Sequence, residues 1–337
     1  MKRKIFILSI ILLSCIACSE KNTLNNPLLI QAIEQLWSYP DSAYHILQSI
    51  AHDELSEYEK HRYALAEAHL QLKLQSSLPS HTSLNDLAWY FLENNDAPSA
   101  GEAYYIQGAY LNWLGENTQA MQYLKEAEDQ PTLPIIRGMI YYKMGRISES
   151  EQLYDIALDN YERALPYLEE ANLPLYLASV YRELGRMVST DSRDIYFEKA
   201  LEYAHIYGDT ILYLDIRHAQ LSAQAYPSPE IAQICQYLCH EAGMKRYAYD
   251  LAKYYIRSKE ADSARIYLDI LAADTTAKIW SDQQYTLWHS QYLHLKGRNA
   301  DAYQALYDLY TTHYNTMEEK GRSSTYVVSQ HYVNEVE

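Results

Sequence analysis

Cys235, Cys239 and His240 are the residues whose types and spacing come closest to a metal site in this chain of 337 residues. Cysteines four apart on a helix share one face, so both thiols could reach a single ion, but they are poorly directed for a disulfide within that helix. A structural zinc site draws four ligands from two elements, and the sequence shows no second pair. Buried thiols filling small holes between helices are therefore expected, with no metal and no cofactor. Catalytic signatures are equally absent. There is no G-x-x-x-x-G-K-[ST], G-x-G-x-x-G or G-x-S-x-G, and His240-Glu241 lacks the second His that a zinc-protease helix requires. The expectation is a protein that performs no chemistry.

Composition narrows the class further. Acidic residues outnumber basic ones by 44 to 28, for a net charge of −16, which repels phosphate backbones and argues against nucleic-acid binding. With ten Gly, ten Pro and no runs of alternating β-branched residues, the chain reads as all-helical. There are 35 Tyr against three Phe. Tyr either fills large core positions, as at Tyr104, Tyr141, Tyr161 and Tyr255, with its hydroxyl at the surface, or lines a groove.

The elements that would position these residues are written in a repeated pattern of side-chain size. Tyr104, Gly108 and Leu111 are followed by Ala120, Leu124 and Ala127; Tyr141, Met144 and Gly145 are followed by Ala157, Tyr161 and Ala164. Small residues let two helices cross closely while bulky ones a turn away fill the flanks. The pattern returns at Tyr181, Leu184, Gly185 and Val188, at Ala252, Tyr255, Ala264 and Leu268, and weakly around Leu293, Ala302 and Leu306. These residues resemble the tetratricopeptide repeat (TPR), with Gln107 and Ser148 standing where that family prefers Leu and Tyr, and its terminal Pro appearing early as Pro131 and Pro166. Gly108, Gly145 and Gly185 are 37 and 40 residues apart, longer than the roughly 34 of a standard repeat, so helices extended by about a turn are expected. The resemblance implies an all-α, TPR-like alpha-alpha superhelix (solenoid) of about eight hairpins over residues 28–316. Gly185 to Ala200 is one turn short, and a local change of pitch is expected there.

Residues 1–17 form an export signal: Lys2, Arg3 and Lys4, the apolar run Ile5 to Leu13, then small residues and cysteines. The stretch is short for a bilayer span. It resembles a lipoprotein signal, which implies lipidation at Cys18, after Ala17 and before the polar tether of residues 18–27; Cys15, with Leu12 three residues before it, is the alternative, and an unlipidated secretory signal remains a third possibility. Such an anchor implies the cell envelope, at the outer membrane or the periplasmic face, with the membrane reached through the N-terminal lipid. Residues 317–337 read as a C-terminal helix with Val327, Val328, Tyr332, Val333 and Val336 on its apolar positions. In overall layout the chain looks like the N-terminal part of bacterial TPR sensor and regulator proteins, whose longer members continue into a membrane helix and a helix-turn-helix region; neither is read here.

Carried over residue by residue, the TPR resemblance places Tyr105, Asn112 and Trp113, then Tyr142 and Arg146, then Arg182 and Arg186, then Tyr249, Lys253 and Arg257 on the concave side. Five of these are basic in an acidic protein. The resulting expectation is an aromatic-edged basic groove for a protein or peptide partner with acidic groups. The alternative in which these charges pair with neighbouring Glu and Asp stays open. So does a second function, glycan capture on an aromatic platform of Trp113, Tyr105 and Tyr142.

Overall fold

The protein is described from a computed structural model covering residues 22–74, 83–188, 190–222, 228–273 and 282–311. The proposed lipidation cysteines Cys15 and Cys18, and the expected C-terminal helix over residues 317–337, lie outside these segments. Among the described residues every regular element is helical, and no helix is long and apolar enough to cross a membrane. The chain forms two compact units, Met1–Ser189 and Thr190–Glu337. That division falls in the stretch where the repeat spacing shortens.

The first unit contains α1 (Pro27–Gln35), α2 (Pro40–Gln48), α3 (Glu57–Lys73), α4 (Leu84–Glu93), α5 (Ala97–Trp113), α6 (Asn117–Glu128), α7 (Pro134–Ser150), α8 (Tyr154–Glu170) and α9 (Pro174–Met187). Proline opens α1, α2, α7 and α9, where its missing N–H costs nothing. At the start of α2 no side chain caps the free N–H groups, and Ser42 donates to Gln35, 2.8 Å away. Ser83 does cap α4, accepting from the Asp86 N–H. Pro166 stands inside α8 and does not end it.

Successive helices turn back by one recurring device, a C-terminal residue in the left-handed conformation that closes the last carbonyls. At α5–α6 it is Gly115 (φ 85°), with the Glu116 N–H donating to the Leu111 carbonyl. At α7–α8 it is Gln152 (φ 62°), with Leu153 donating to Ser148, and at α8–α9 it is Asn172. Small residues then let the paired helices close. A Cβ on Gly108 would lie 2.9 Å from the Leu124 side chain, and one on Gly145 would lie 2.7 Å from the Tyr161 ring. Ala120, Ala127, Ala157 and Ala164 are fully buried at the same crossings. Tyr161 is buried too, and its hydroxyl donates to Glu149 (2.9 Å) while Tyr181 donates to Glu169 (2.8 Å). These tyrosines therefore fill core positions with the hydroxyl tied to a glutamate on the adjoining helix.

The N-terminal hairpin is fastened by Glu59. It forms a capping box with Ser56 and also accepts the N–H groups of Asn25 (2.8 Å) and Asn26 (2.7 Å). Burial pushes its carboxyl up, but these donors outweigh burial and lower its pKa to about 2.

The second unit contains α10 (Thr190–Tyr207), α11 (Thr210–Ser222), α12 (Pro229–Gln236), a π-helical turn (Tyr237–Glu241), α13 (Ala248–Arg257), α14 (Ala261–Ala273), α15 (Asp282–Leu295) and a helix α16 over 299–311. The same turn recurs, with Lys259 (φ 60°) joining α13 to α14 and Gly297 (φ 74°) preceding α16. Ala252, Ala264, Leu268 and Cys235 lie in one buried cluster.

Candidate ligand-binding site

In the first unit α3, α5, α7 and α9 stand as successive first helices, with α3 packed on α5 and α5 on α7. Their row bends enough that Trp37, just past α1, meets Tyr176 at the start of α9, with ring centroids 6.0 Å apart. Trp37 also lies edge-on to His69 at 4.5 Å and near Tyr105 at 6.4 Å. Tyr176 in turn approaches Tyr142 at 6.4 Å. The aromatic side chains thus form a connected surface drawn from five helices or their ends. Beneath it His69 and Glu102, both buried, pair at 2.8 Å.

The cations of α3, α7 and α9 are of two kinds. Arg182 bonds Glu183 at 2.5 Å, and Arg186 bonds Glu183 at 2.6 Å and Glu149 at 3.4 Å. Glu183 is buried, and although burial raises its pKa, the two guanidinium groups bring it below the ordinary carboxylate value. For these two arginines the charge is met locally. Lys143 differs. It is half-buried on α7, has no carboxylate within ion-pair distance among the described residues, and burial together with Arg146 lowers its pKa to about 8. Arg146 itself meets the Tyr142 hydroxyl at 3.5 Å. Lys73 is similar to Lys143: its ammonium sits 4.4 Å over the Trp37 ring, 5.9 Å from that of Tyr176, and donates to the Trp37 carbonyl at 3.1 Å, and burial lowers its pKa to about 8.

The other expected groove residues fall as follows. Tyr105 and Tyr142 are buried, at 3% and 8% exposure, so they support the surface and offer little of it. Asn112 is half-buried and donates to Asn117, which bridges to Ser150 and Glu151. Trp113 is exposed and its ring neighbour is Tyr110, 5.6 Å away. In the second unit Tyr249, Lys253 and Arg257 gather around Trp288. The indole N–H donates to the Tyr249 hydroxyl at 2.7 Å, and the two cations lie 6.0 and 5.8 Å from the ring. Sequence reasoning did not find Trp37, Lys73, Lys143, Tyr176, Glu183 or Trp288. Trp37 follows, and Trp288 belongs to, a helix without the clear repeat signature, and Lys143 is one residue off the position that the family pattern marks.

Cys235 and Cys239 are buried free thiols, and burial, then Asp250 and Cys239, push the Cys235 thiol well above its ordinary pKa. His240 turns to the Tyr267 hydroxyl at 3.1 Å.

No protein-family model matches the sequence, and no curated protein does. Solved structures that are similar include the following two. One is aspartyl phosphate phosphatase F from Bacillus subtilis, at 19% identity and a TM-score of 0.51, covering 74% of this chain and 70% of that one. The other is a Rap protein complexed with competence and sporulation factor, at 17% identity and a TM-score of 0.56, covering 87% and 92%. The fold is that of a TPR-like helical-repeat protein. TPR-like repeats present side chains in an order fixed by the stacking of hairpins, which suits recognition of an extended partner; at this identity the likeness extends to architecture alone.

Proposed function

We propose that the protein is a non-enzymatic scaffold that binds a peptide or a segment of a partner protein through an anionic group, on the inner face of its first unit. The observation that carries this reading is Lys143, a half-buried cation beside Arg146 with no carboxylate within ion-pair distance among the described residues. A ligand carboxylate placed there satisfies an ammonium that the fold leaves unmatched, and charge-assisted bonds of this kind contribute about 1.5–3 kcal/mol each. Lys73 over Trp37 and Tyr176 supplies a second cation on an aromatic bed suited to an extended chain. The Rap protein above, which was solved with competence and sporulation factor, lends support at the level of architecture. We further propose that the scaffold is tethered outside the cytoplasm by a lipid on Cys18 or Cys15 and serves as the sensor part of a signalling system.

The test is a titration of the full chain with short Glu-rich peptides and with their amidated, uncharged counterparts. Binding confined to the acidic peptides is expected, weaker by about tenfold or more in Lys143→Met and falling as pH rises through about 8, where Lys143 loses its proton. Equal binding of both peptide sets would reject the anionic ligand. The glycan reading has one observation in its favour, exposed Trp113 beside Tyr110; oligosaccharide binding abolished by Trp113→Ala would favour it over a peptide.

A further inference from the structure

Three helices of the second unit bring together donors that the sequence scatters. His218 on α11, Cys235 on α12 and Asp250 on α13 present one ligand atom each, and these atoms all lie within 4.8 Å of one another. The His218 Nε2 is already 3.2 Å from an Asp250 carboxylate oxygen. Zinc bound at about 2.0–2.3 Å to nitrogen, oxygen and sulfur places tetrahedral ligands about 3.3–3.8 Å apart. One edge of the triangle is therefore close to that spacing, and the other two are no longer than 4.8 Å. We propose that His218, Cys235 and Asp250 form a zinc site that ties α11, α12 and α13 together, with a water as fourth ligand on the side of Asp250, whose side chain is 28% exposed.

The donor set decides the class of ion. A thiolate and an imidazole are poor ligands for calcium or magnesium, which take oxygen donors at higher coordination numbers, and are suited to zinc. The ring of His218 is braced edge-on by Tyr247 at 5.0 Å, and Ser222 reaches the same Nε2 at 3.3 Å. The ion would replace both contacts to that nitrogen. Cys239 and His240 play no part, since the π-helical turn carries His240 to Tyr267. The proposal is independent of the peptide-binding reading, which concerns the other unit.

Cobalt(II) is the probe, because its tetrahedral thiolate complexes absorb where zinc is silent. Added to the metal-free full chain, cobalt is expected to give a thiolate-to-metal charge-transfer band that one equivalent of zinc removes, and zinc is expected to raise the unfolding temperature relative to chelator. Cys235→Ser should abolish the band, and Cys239→Ser should keep it. Should Cys235→Ser fail to fold, His218→Gln and Asp250→Asn, which alter partly exposed side chains, decide the matter: each should weaken cobalt binding by at least about tenfold, the loss that follows even from disturbing an outer partner of a metal ligand. No charge-transfer band in the parent protein, a band that survives Cys235→Ser, or one that is unmoved by both His218→Gln and Asp250→Asn would overturn the site.

Discussion

In the first unit Glu183 is buried between two arginines of its own helix, while on α7 Lys143 carries a charge into a half-buried place with no carboxylate among the described residues to meet it. In the second unit the polar side chains set into the helix contacts are of another kind, with Asp250 against His218 and the buried thiol of Cys235. The first arrangement fixes charge on one element and leaves a cation over, which suits an anionic ligand. The second converges neutral and acidic donors from three elements, which suits a cation. One repeat architecture thus carries two arrangements of polar side chains, because what differs is the residue placed at each position.

The sharpest way to break the first arrangement is Glu183→Gln. Removing one partner of a buried, hydrogen-bonded ion pair costs about 3–5 kcal/mol; here the loss falls toward the lower end, because Arg186 is half exposed and keeps Glu149 at 3.4 Å. Urea unfolding should show a loss of that order, with no comparable effect from Glu170→Gln on an exposed surface. The pH dependence follows from the sign of the shift. Glu183, Glu102 and Glu59 all have folded pKa values below the ordinary one. Their contribution is therefore complete above about 4.5 and drains away as pH falls through the folded values, for Glu59 down to about 2.

Next in size is the crossing itself. Gly145→Ala puts a methyl 2.7 Å from the Tyr161 ring, a fully buried side chain held through its hydroxyl to Glu149, so the ring has little room to yield. A cost of about 1–3 kcal/mol is expected, measured by the same unfolding. Little change would mean that α7 and α8 part readily, and the inner surface on α7 would then be poorly fixed for ligand.

Lys143→Met should act in the opposite direction. The folded pKa of about 8 lies below the roughly 10.4 of an unfolded lysine, so the unfolded chain binds the proton more strongly. Folding with Lys143 charged is penalised below about pH 8, and the penalty disappears as pH rises past 10.4. Lys143→Met is therefore expected to stabilise the protein by about 1–2 kcal/mol at pH 7, discounted for partial solvent access, with the gain closing by about pH 10.5. Stability gained with binding lost identifies a residue kept for its ligand.

The crossings were legible in the sequence because close packing leaves a periodic record. Gly108, Gly145, Ala120 and Ala157 had to be small wherever two backbones approach, and they recur at fixed spacing. The aromatic surface left no such record. Trp37 meets Tyr176 through the curvature of several stacked hairpins, and Cys235 meets His218 and Asp250 through three separate helices. Each encounter depends on summed rotations between helices, which a single spacing does not encode. Charge compensation was equally hidden, since Glu183 reads as an ordinary surface acid until Arg182 and Arg186 fold over it.

The smallest expected effect tests where the two units agree. Gln152 in the first and Lys259 in the second hold the same left-handed turn position that Gly115 and Gly297 hold elsewhere. A side chain with a Cβ is strained in that conformation by about 1–2 kcal/mol, while glycine gives back part of the gain through its freer unfolded state. Gln152→Gly and Lys259→Gly should each stabilise by about 0.5 kcal/mol, and Asn172→Gly by less, because asparagine tolerates the conformation better. Equal responses at Gln152 and Lys259 would show that the hairpin turns are interchangeable between the units even though the charged side chains they carry into position are not. A loss at either site would mean that its side chain, and not the backbone alone, holds that turn.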